Sequence, residues 1–232
     1  AKILAEYLKL NLKEVFIDES EIENRFIDSL KTIEYPLAVQ AECGIVQSAI
    51  MEQMKRDGFK IALSGELSDE TVGYPRYKMF AKKPDYKQMR LDMLAKQHYG
   101  NLLRGNLIAM KYATIELRVP FEDKEYINYV LNLPVDFIHG KGNQMKKHLA
   151  NAFREKLPDS IIDRKKDGFQ TGTGIKDYID NIVLNSKLNR NKKTTALGLV
   201  GDLSKKYYPG INFRKTTKWD LTSLDTKARS LF

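Results

Sequence analysis

Apolar positions in the first half of the chain recur at helical spacing, interrupted by two short runs of β-formers. Ile3, Leu4, Leu8 and Leu10 give Ala1–Leu10 the period of a helix. Glu14–Asp18 (Glu-Val-Phe-Ile-Asp) predicts a strand. Glu19–Lys31 predicts a helix capped by Ser20 and broken at Tyr35-Pro36. Gln40–Arg56, with Ile45, Val46, Ala49, Ile50 and Met54 apolar, predicts another that stops at Asp57-Gly58. Ile61, Ala62 and Leu63, bounded by Gly58 and Ser64-Gly65, read as a parallel strand buried on both faces. Ser68 is placed to cap the next helix, with Asp69 and Glu70 in its first turn.

Strand signals vanish from Lys78 onward. Tyr86–Gln97 and Leu102–Tyr112 predict helices, and Leu117–Asp123 a loop. Lys124–Leu133 predicts a helix stopped by Pro134, and Lys146–Lys156 one stopped by Pro158. A glycine-rich loop, Asp167–Gly174, precedes a helix over Lys176–Leu188, and a polar tail carries Pro209-Gly210 and Trp219. There is no repeat and no low-complexity tract. The alternation predicts an α/β fold with a parallel sheet and a mostly helical C-terminal half, as one domain over 1–232. Its parts are α/β over 1–77, helical over 78–190 and polar over 191–232.

Composition narrows the class without naming a partner. The 232 residues are 42% hydrophobic and 30% charged, ordinary values for a folded protein with ample core. No apolar run approaches a membrane span, and no signal peptide opens the chain. Cys43, the only cysteine, excludes an internal disulfide or cysteine metal cluster and suits a reducing cytoplasm. The net charge of +9 fits nucleic acid, anionic lipid or a polyphosphate substrate. Its lysines are scattered, with one cluster at Lys187, Arg190, Lys192 and Lys193 and no interleaved aromatics, so nucleic acid is not indicated. His98, His139 and His148 share no ligand spacing and read as solvated or packing groups.

Three polar clusters carry the candidate chemistry. They are Ser64-Gly65-Glu66-x-Ser68-Asp69-Glu70, then Glu116-Leu117-Arg118-Val119-Pro120-Phe121-Glu122-Asp123, then Arg164-Lys165-Lys166-Asp167-Gly168-Phe169 running into the loop with Gly172 and Gly174. In order and spacing they resemble the synthetase domain of the asparagine synthetase family, through about Ile179. Arg104-Gly105-Asn106 ahead of Met110, and Lys146 ahead of Phe153, agree as well. The resemblance implies an adenine-nucleotide α-hydrolase-like fold and ATP-dependent amide formation. An aspartate-like carboxylate attacks the α-phosphate of ATP, pyrophosphate leaves, and ammonia or another amine attacks the acyl-adenylate.

The residue types suit those demands. Departing pyrophosphate needs cations and amide donors, which Lys166 and the backbone of Gly172 and Gly174 would offer. Asp69 would hold Mg²⁺, which favours one or two carboxylates with phosphate oxygens and water. Ser64 and Gly65 would approach the nucleotide with their backbone, glycine permitting close contact. Glu66 would face the amine and accept a proton, where related β-lactam-forming enzymes tend to carry Tyr. Glu116 reads as an acid supporting the reacting groups, while Arg118 and Asp123 read as a buried ion pair fixing the loop.

The pattern departs from the family in ways that bear on substrate identity. Leu67 replaces a glycine, one glycine is missing before Tyr74, Ala150 stands where Arg is frequent, and Gln170-Thr171 stand where Ser-Asp is common. The family's Ser-Gly-Gly-x-Asp-Ser phosphate loop and its glutaminase domain do not occur in the 232 residues. The first helix has no cap, as if cut inside a larger fold. A second polypeptide or severed N-terminal piece is therefore expected to complete the sheet. Two other readings stay open here: a non-catalytic scaffold subunit, and an RNA-modifying adenylating relative whose binding would fall steeply with salt.

Overall fold

A computed structural model describes residues 1–33, 38–73, 81–82, 84–139, 146–185 and 206. Tyr35-Pro36, Tyr74, the basic cluster at 187–193, Pro209-Gly210 and Trp219 lie outside the described residues. The described chain is mostly helical, with one parallel two-stranded sheet, an arrangement compatible with an α/β fold. It divides into two compact units, residues 1–17 with 47–169 and residues 18–46 with 170–232. The helix Ala38–Arg56 belongs in part to each.

In the first unit β1 (Ile61–Leu63) pairs in parallel with β2 (Glu116–Arg118), Ile61 opposite Glu116 and Leu63 opposite Arg118. The ladder continues where the Ser64 N–H donates to the Arg118 carbonyl at 2.8 Å. β2 falls in a stretch expected to be loop, because three residues with charged ends carry no readable period. The helix Asn101–Ala113 lies over β2 so closely that a Cβ at Gly105 would stand 2.7 Å from Leu117 Cδ2. Glycine is the residue that permits this approach.

The expectation of a strand covered on both faces is corrected. Ala62 is buried, but Ile61 is 43% and Leu63 75% exposed. Glu14–Asp18 forms no strand, and Phe16 is 86% exposed. A strand exists through ladder bonds to a neighbour, and this segment pairs with none of the described residues. Lys13, just ahead of it, ties to Asp57 at 2.5 Å.

Behind the sheet, the short helix Ser68–Val72 packs against the helices Tyr86–Gln97, Lys124–Leu131 and Lys147–Phe153. Leu67, Leu94, Leu102 and Leu131 form an apolar cluster there, with Val119, Phe121 and Ile127 against it. The helix Lys124–Leu131 is capped by Asp123, whose carboxylate accepts from the Tyr126 N–H at 2.8 Å. Asp123 is therefore a cap and not half of an ion pair with Arg118; the latter pairs with Glu116 at 2.7 Å, both exposed.

The second unit rests on one stripe. Ile22, Phe26, Leu30 and Ile33 are the buried apolar residues of the helix Glu19–Ile33, spaced at three and four residues. The helix Ile175–Asn185 packs on it, burying Ile175 and Ile179. Gly44 lies against Ser29, where a Cβ would meet Ser29 Oγ at 2.9 Å. The start of Glu19–Ile33 is capped by Asp18, which accepts from the Ser20 N–H at 2.8 Å, rather than by Ser20 itself. Among the described residues no helix is long and apolar enough to cross a membrane.

Candidate functional site

The chain leaves β1 through Ser64-Gly65-Glu66 and turns sharply at Leu67. The Glu66 N–H donates to Ser64 Oγ at 3.2 Å, closing the turn locally. Leu67 takes φ +65°, the left-handed region that costs a non-glycine residue about 1–2 kcal/mol. Its side chain is 3% exposed in the leucine cluster, and that burial outweighs the backbone strain. Leu67, where the resemblance implies a glycine, is held by packing in a conformation glycine favours. Ser68 then begins the helix and does not cap it; its hydroxyl accepts from Lys146 Nζ at 2.8 Å. Among the described residues a Cβ at Gly65 would meet nothing within 4 Å.

The turn presents two carboxylates three residues apart, each with its own cations. Arg104 Nη2 donates to Glu66 Oε1 at 2.6 Å. Gln47 Nε2 donates to the same oxygen at 3.2 Å, and Gln47 Oε1 accepts from Arg104 Nε at 2.8 Å. Arg104 Nη1 donates to Asn101 Oδ1 at 3.1 Å. The Arg104 side chain is 4% exposed and that of Glu66 15%, so the pair is largely desolvated.

Asp69 sits between two lysines. Lys146 Nζ lies 2.7 Å from Oδ1 and Lys166 Nζ 2.8 Å from Oδ2. Lys146 Nζ thus bridges the Asp69 carboxylate and the Ser68 hydroxyl. Burial alone would push the Asp69 carboxyl up, but Lys146 and then Lys166 outweigh it and hold it below the ordinary carboxylate value. Two ammonium groups against one carboxylate leave a net positive charge, the sign that attracts phosphate. Glu70, buried below them, is pushed up to about 7 by burial and by the charges of Asp69 and Glu66.

The sequence-predicted residues therefore converge in part. Ser64, Gly65, Glu66 and Asp69 share the turn, and Lys166 reaches Asp69 from the far end of the unit's sequence. Glu116 stands on β2, 60% exposed, and its described partner is Arg118. Gly172 and Gly174 belong to the second unit, where the expected loop is in part a short helix, Phe169–Gly172, and Gly174 takes φ +76° with its N–H donating to Thr171 O at 2.9 Å. His139 packs its ring against Tyr86 and hydrogen-bonds its hydroxyl. His98 stands exposed beside Glu122 at 3.8 Å. No three His, Cys, Asp or Glu side chains converge as a metal centre among the described residues. Asp69 offers a single carboxylate, enough for a magnesium ion arriving on a nucleotide's phosphates.

Gln47 and the contacts of Arg104 and Lys146 escaped the sequence reading. Arg104 did leave a signal: it falls on the stripe of Gly105, Ile108 and Ala109, and a charged residue on an apolar face needs a buried partner. Lys146 stands before a helix with no such mark.

The sequence of the chain is similar to those of known proteins. The sequence profile of the asparagine synthase family matches residues 1–97 and 78–200. Asparagine synthetase B [glutamine-hydrolyzing] of Escherichia coli (strain K12) is 32% identical over 164 residues, covering 67% of this chain and 29% of its own length. Asparagine synthetase [glutamine-hydrolyzing] 2 of Oryza sativa subsp. japonica is 32% identical over 196 residues, 78% of this chain and 32% of its own. Asparagine synthetase [glutamine-hydrolyzing] of Sandersonia aurantiaca is 30% identical over 181 residues, 72% and 34%. The chain thus spans about a third of the length of these relatives.

Proposed function

The chain belongs to the asparagine synthase family, and from that premise we propose that it carries the ATP-using half of an amide synthesis. An aspartate-like carboxylate attacks the α-phosphate, pyrophosphate leaves, and ammonia displaces AMP from the acyl-adenylate. The observation that carries this reading is the convergence of Lys146 and Lys166 on Asp69 beside the turn at Gly65. Their excess positive charge faces the place where a strand's carboxyl end meets a helix, the position at which open α/β sheets take nucleotides.

In this reading Lys166 and Lys146 stabilise charge on the departing pyrophosphate. Ser64 and Gly65 offer backbone to the nucleotide. Asp69 would hold the Mg²⁺ of the nucleotide complex, which neutralises phosphate charge when bound. Glu66 accepts a proton from the attacking nitrogen. Glu116 supports the reacting groups from β2. The exposed Ile61 and Leu63 support a further part of the proposal. A second polypeptide or an N-terminal segment covers this face and pairs strands with the edge of β1, completing an adenine-nucleotide α-hydrolase-like sheet and bringing the phosphate loop.

A pyrophosphate-release assay with ATP, magnesium, aspartate and ammonium tests the reading, with and without an added upstream segment. Release that depends on aspartate and falls in Lys166→Met is expected. No acid-dependent release in either arm would overturn it.

A further inference from the structure

Glu66 is gripped by one oxygen only. Both the Arg104 and Gln47 donors go to Oε1. Oε2 has no hydrogen-bond partner among the described residues, and it is not among the sealed, unpaired polar atoms of the interior. The grip is directional: a guanidinium has no acceptor and an ionised carboxylate no donor, so Gln47 must give its oxygen to Arg104 and its N–H to Glu66. The three side chains form a closed ring of hydrogen bonds, and Asn101 braces Arg104 from outside it.

We propose that Arg104, with Gln47, is a positioning residue that fixes Glu66 by Oε1 and turns Oε2 alone toward the incoming ammonia. The inference rests on the amide-synthesis reading above. The planar, permanently charged guanidinium suits this duty, because it holds a buried carboxylate in one orientation and cannot take the proton itself. In the step served, the ammonia lone pair forms the C–N bond at the activated carbonyl carbon. One N–H proton passes to Glu66 Oε2. The carbonyl re-forms as the bond to the AMP oxygen breaks, and AMP leaves with that electron pair. Glu66 ends neutral and returns its proton to solvent. Adenylation needs none of this, so the clamp acts on the second half of the reaction.

The test separates the two halves in whichever form of the protein shows aspartate-dependent pyrophosphate release. ATP–pyrophosphate exchange reads adenylation, and amide formation against ammonium concentration reads the second step. Arg104→Met is expected to lower amide formation on the order of 10²-fold more than exchange, the scale lost when an acid–base group is displaced. Arg104→Lys keeps the charge without the fork and should recover only part of it. Gln47→Leu, which leaves the cation in place, should cost a smaller share of the same step. Equal losses in both steps would make Arg104 a structural tie and overturn the inference, while the amide-synthesis reading would stand. Absence of any wild-type release overturns that reading and the inference with it. A denaturant-unfolding cycle of Arg104→Lys with Glu66→Gln needs no activity. A non-additive midpoint shift supports the clamp, and additivity overturns it.

Discussion

Glu66 and Asp69 are three residues apart, yet their surroundings differ in kind. Glu66 is held by a buried guanidinium and an amide, both on rigid helices, through one oxygen. Asp69 is held by two lysines, 26% and 39% exposed, one on each oxygen. A desolvated Arg fork keeps a carboxylate in one geometry, whereas an ammonium on a flexible stem exchanges partners readily. One stretch thus carries an acid held by a buried guanidinium and an acid held by two part-exposed ammonium groups.

The largest effect that would sharpen this contrast comes from the lysines. Lys166→Met is expected to lower ATP–pyrophosphate exchange by about 10²–10³-fold, the scale for losing one charge-stabilising donor. Equal loss of exchange in an Arg104 variant would break the comparison.

Leu67, which joins the two acids, tests whether packing holds the turn. Leu67→Ala removes a buried side chain but keeps the left-handed strain, and should cost about 2–5 kcal/mol in urea unfolding. Leu67→Gly removes Cβ as well but relieves that strain, and should be the milder variant by about 1 kcal/mol. The reverse order would show that Leu67 is not strained.

Glu70 lies under both acids. Its carboxyl titrates near 7 when folded, against 4.5 as the ordinary value, because burial disfavours its charge. Between those values the folded chain holds a proton the unfolded chain has lost, so stability falls as pH rises through the window and levels off above it. Below 4.5 both states are protonated and the full contribution is present. The fall should total about 3 kcal/mol, and Glu70→Gln should flatten it in chemical denaturation at pH 4, 5.5 and 8.

The smallest effect concerns salt. The half-exposed Lys166–Asp69 coupling is worth about 0.2–1 kcal/mol and should shrink in 1 M salt. The Arg104–Glu66 coupling, behind 4% exposure, should persist. Equal screening of the two would erase the distinction between them.

Helix positions were legible where the apolar period was long. Tyr86–Gln97 ends at the expected residues, and Gln40–Arg56 lies within Ala38–Arg56. The pairing of Ile61–Leu63 with Glu116–Arg118 was not, since three-residue strands have no period and the register comes from a chain segment more than fifty residues away. Caps were misassigned by a residue or two, at Ser20 and Ser68, where neighbouring polar side chains compete for the same N–H groups.

Residue order alone determined the helical architecture, the family, and the turn that carries Ser64, Gly65, Glu66 and Asp69, because these depend on local period and on short contiguous motifs. Only the folded chain decided which cation meets which carboxylate. Arg104 and Lys146 are equally basic in the sequence, and packing alone brings the first to Glu66 and the second, with Lys166, to Asp69. A buried charge is stabilised by whatever partner the surrounding helices place within reach, and that placement belongs to the whole fold.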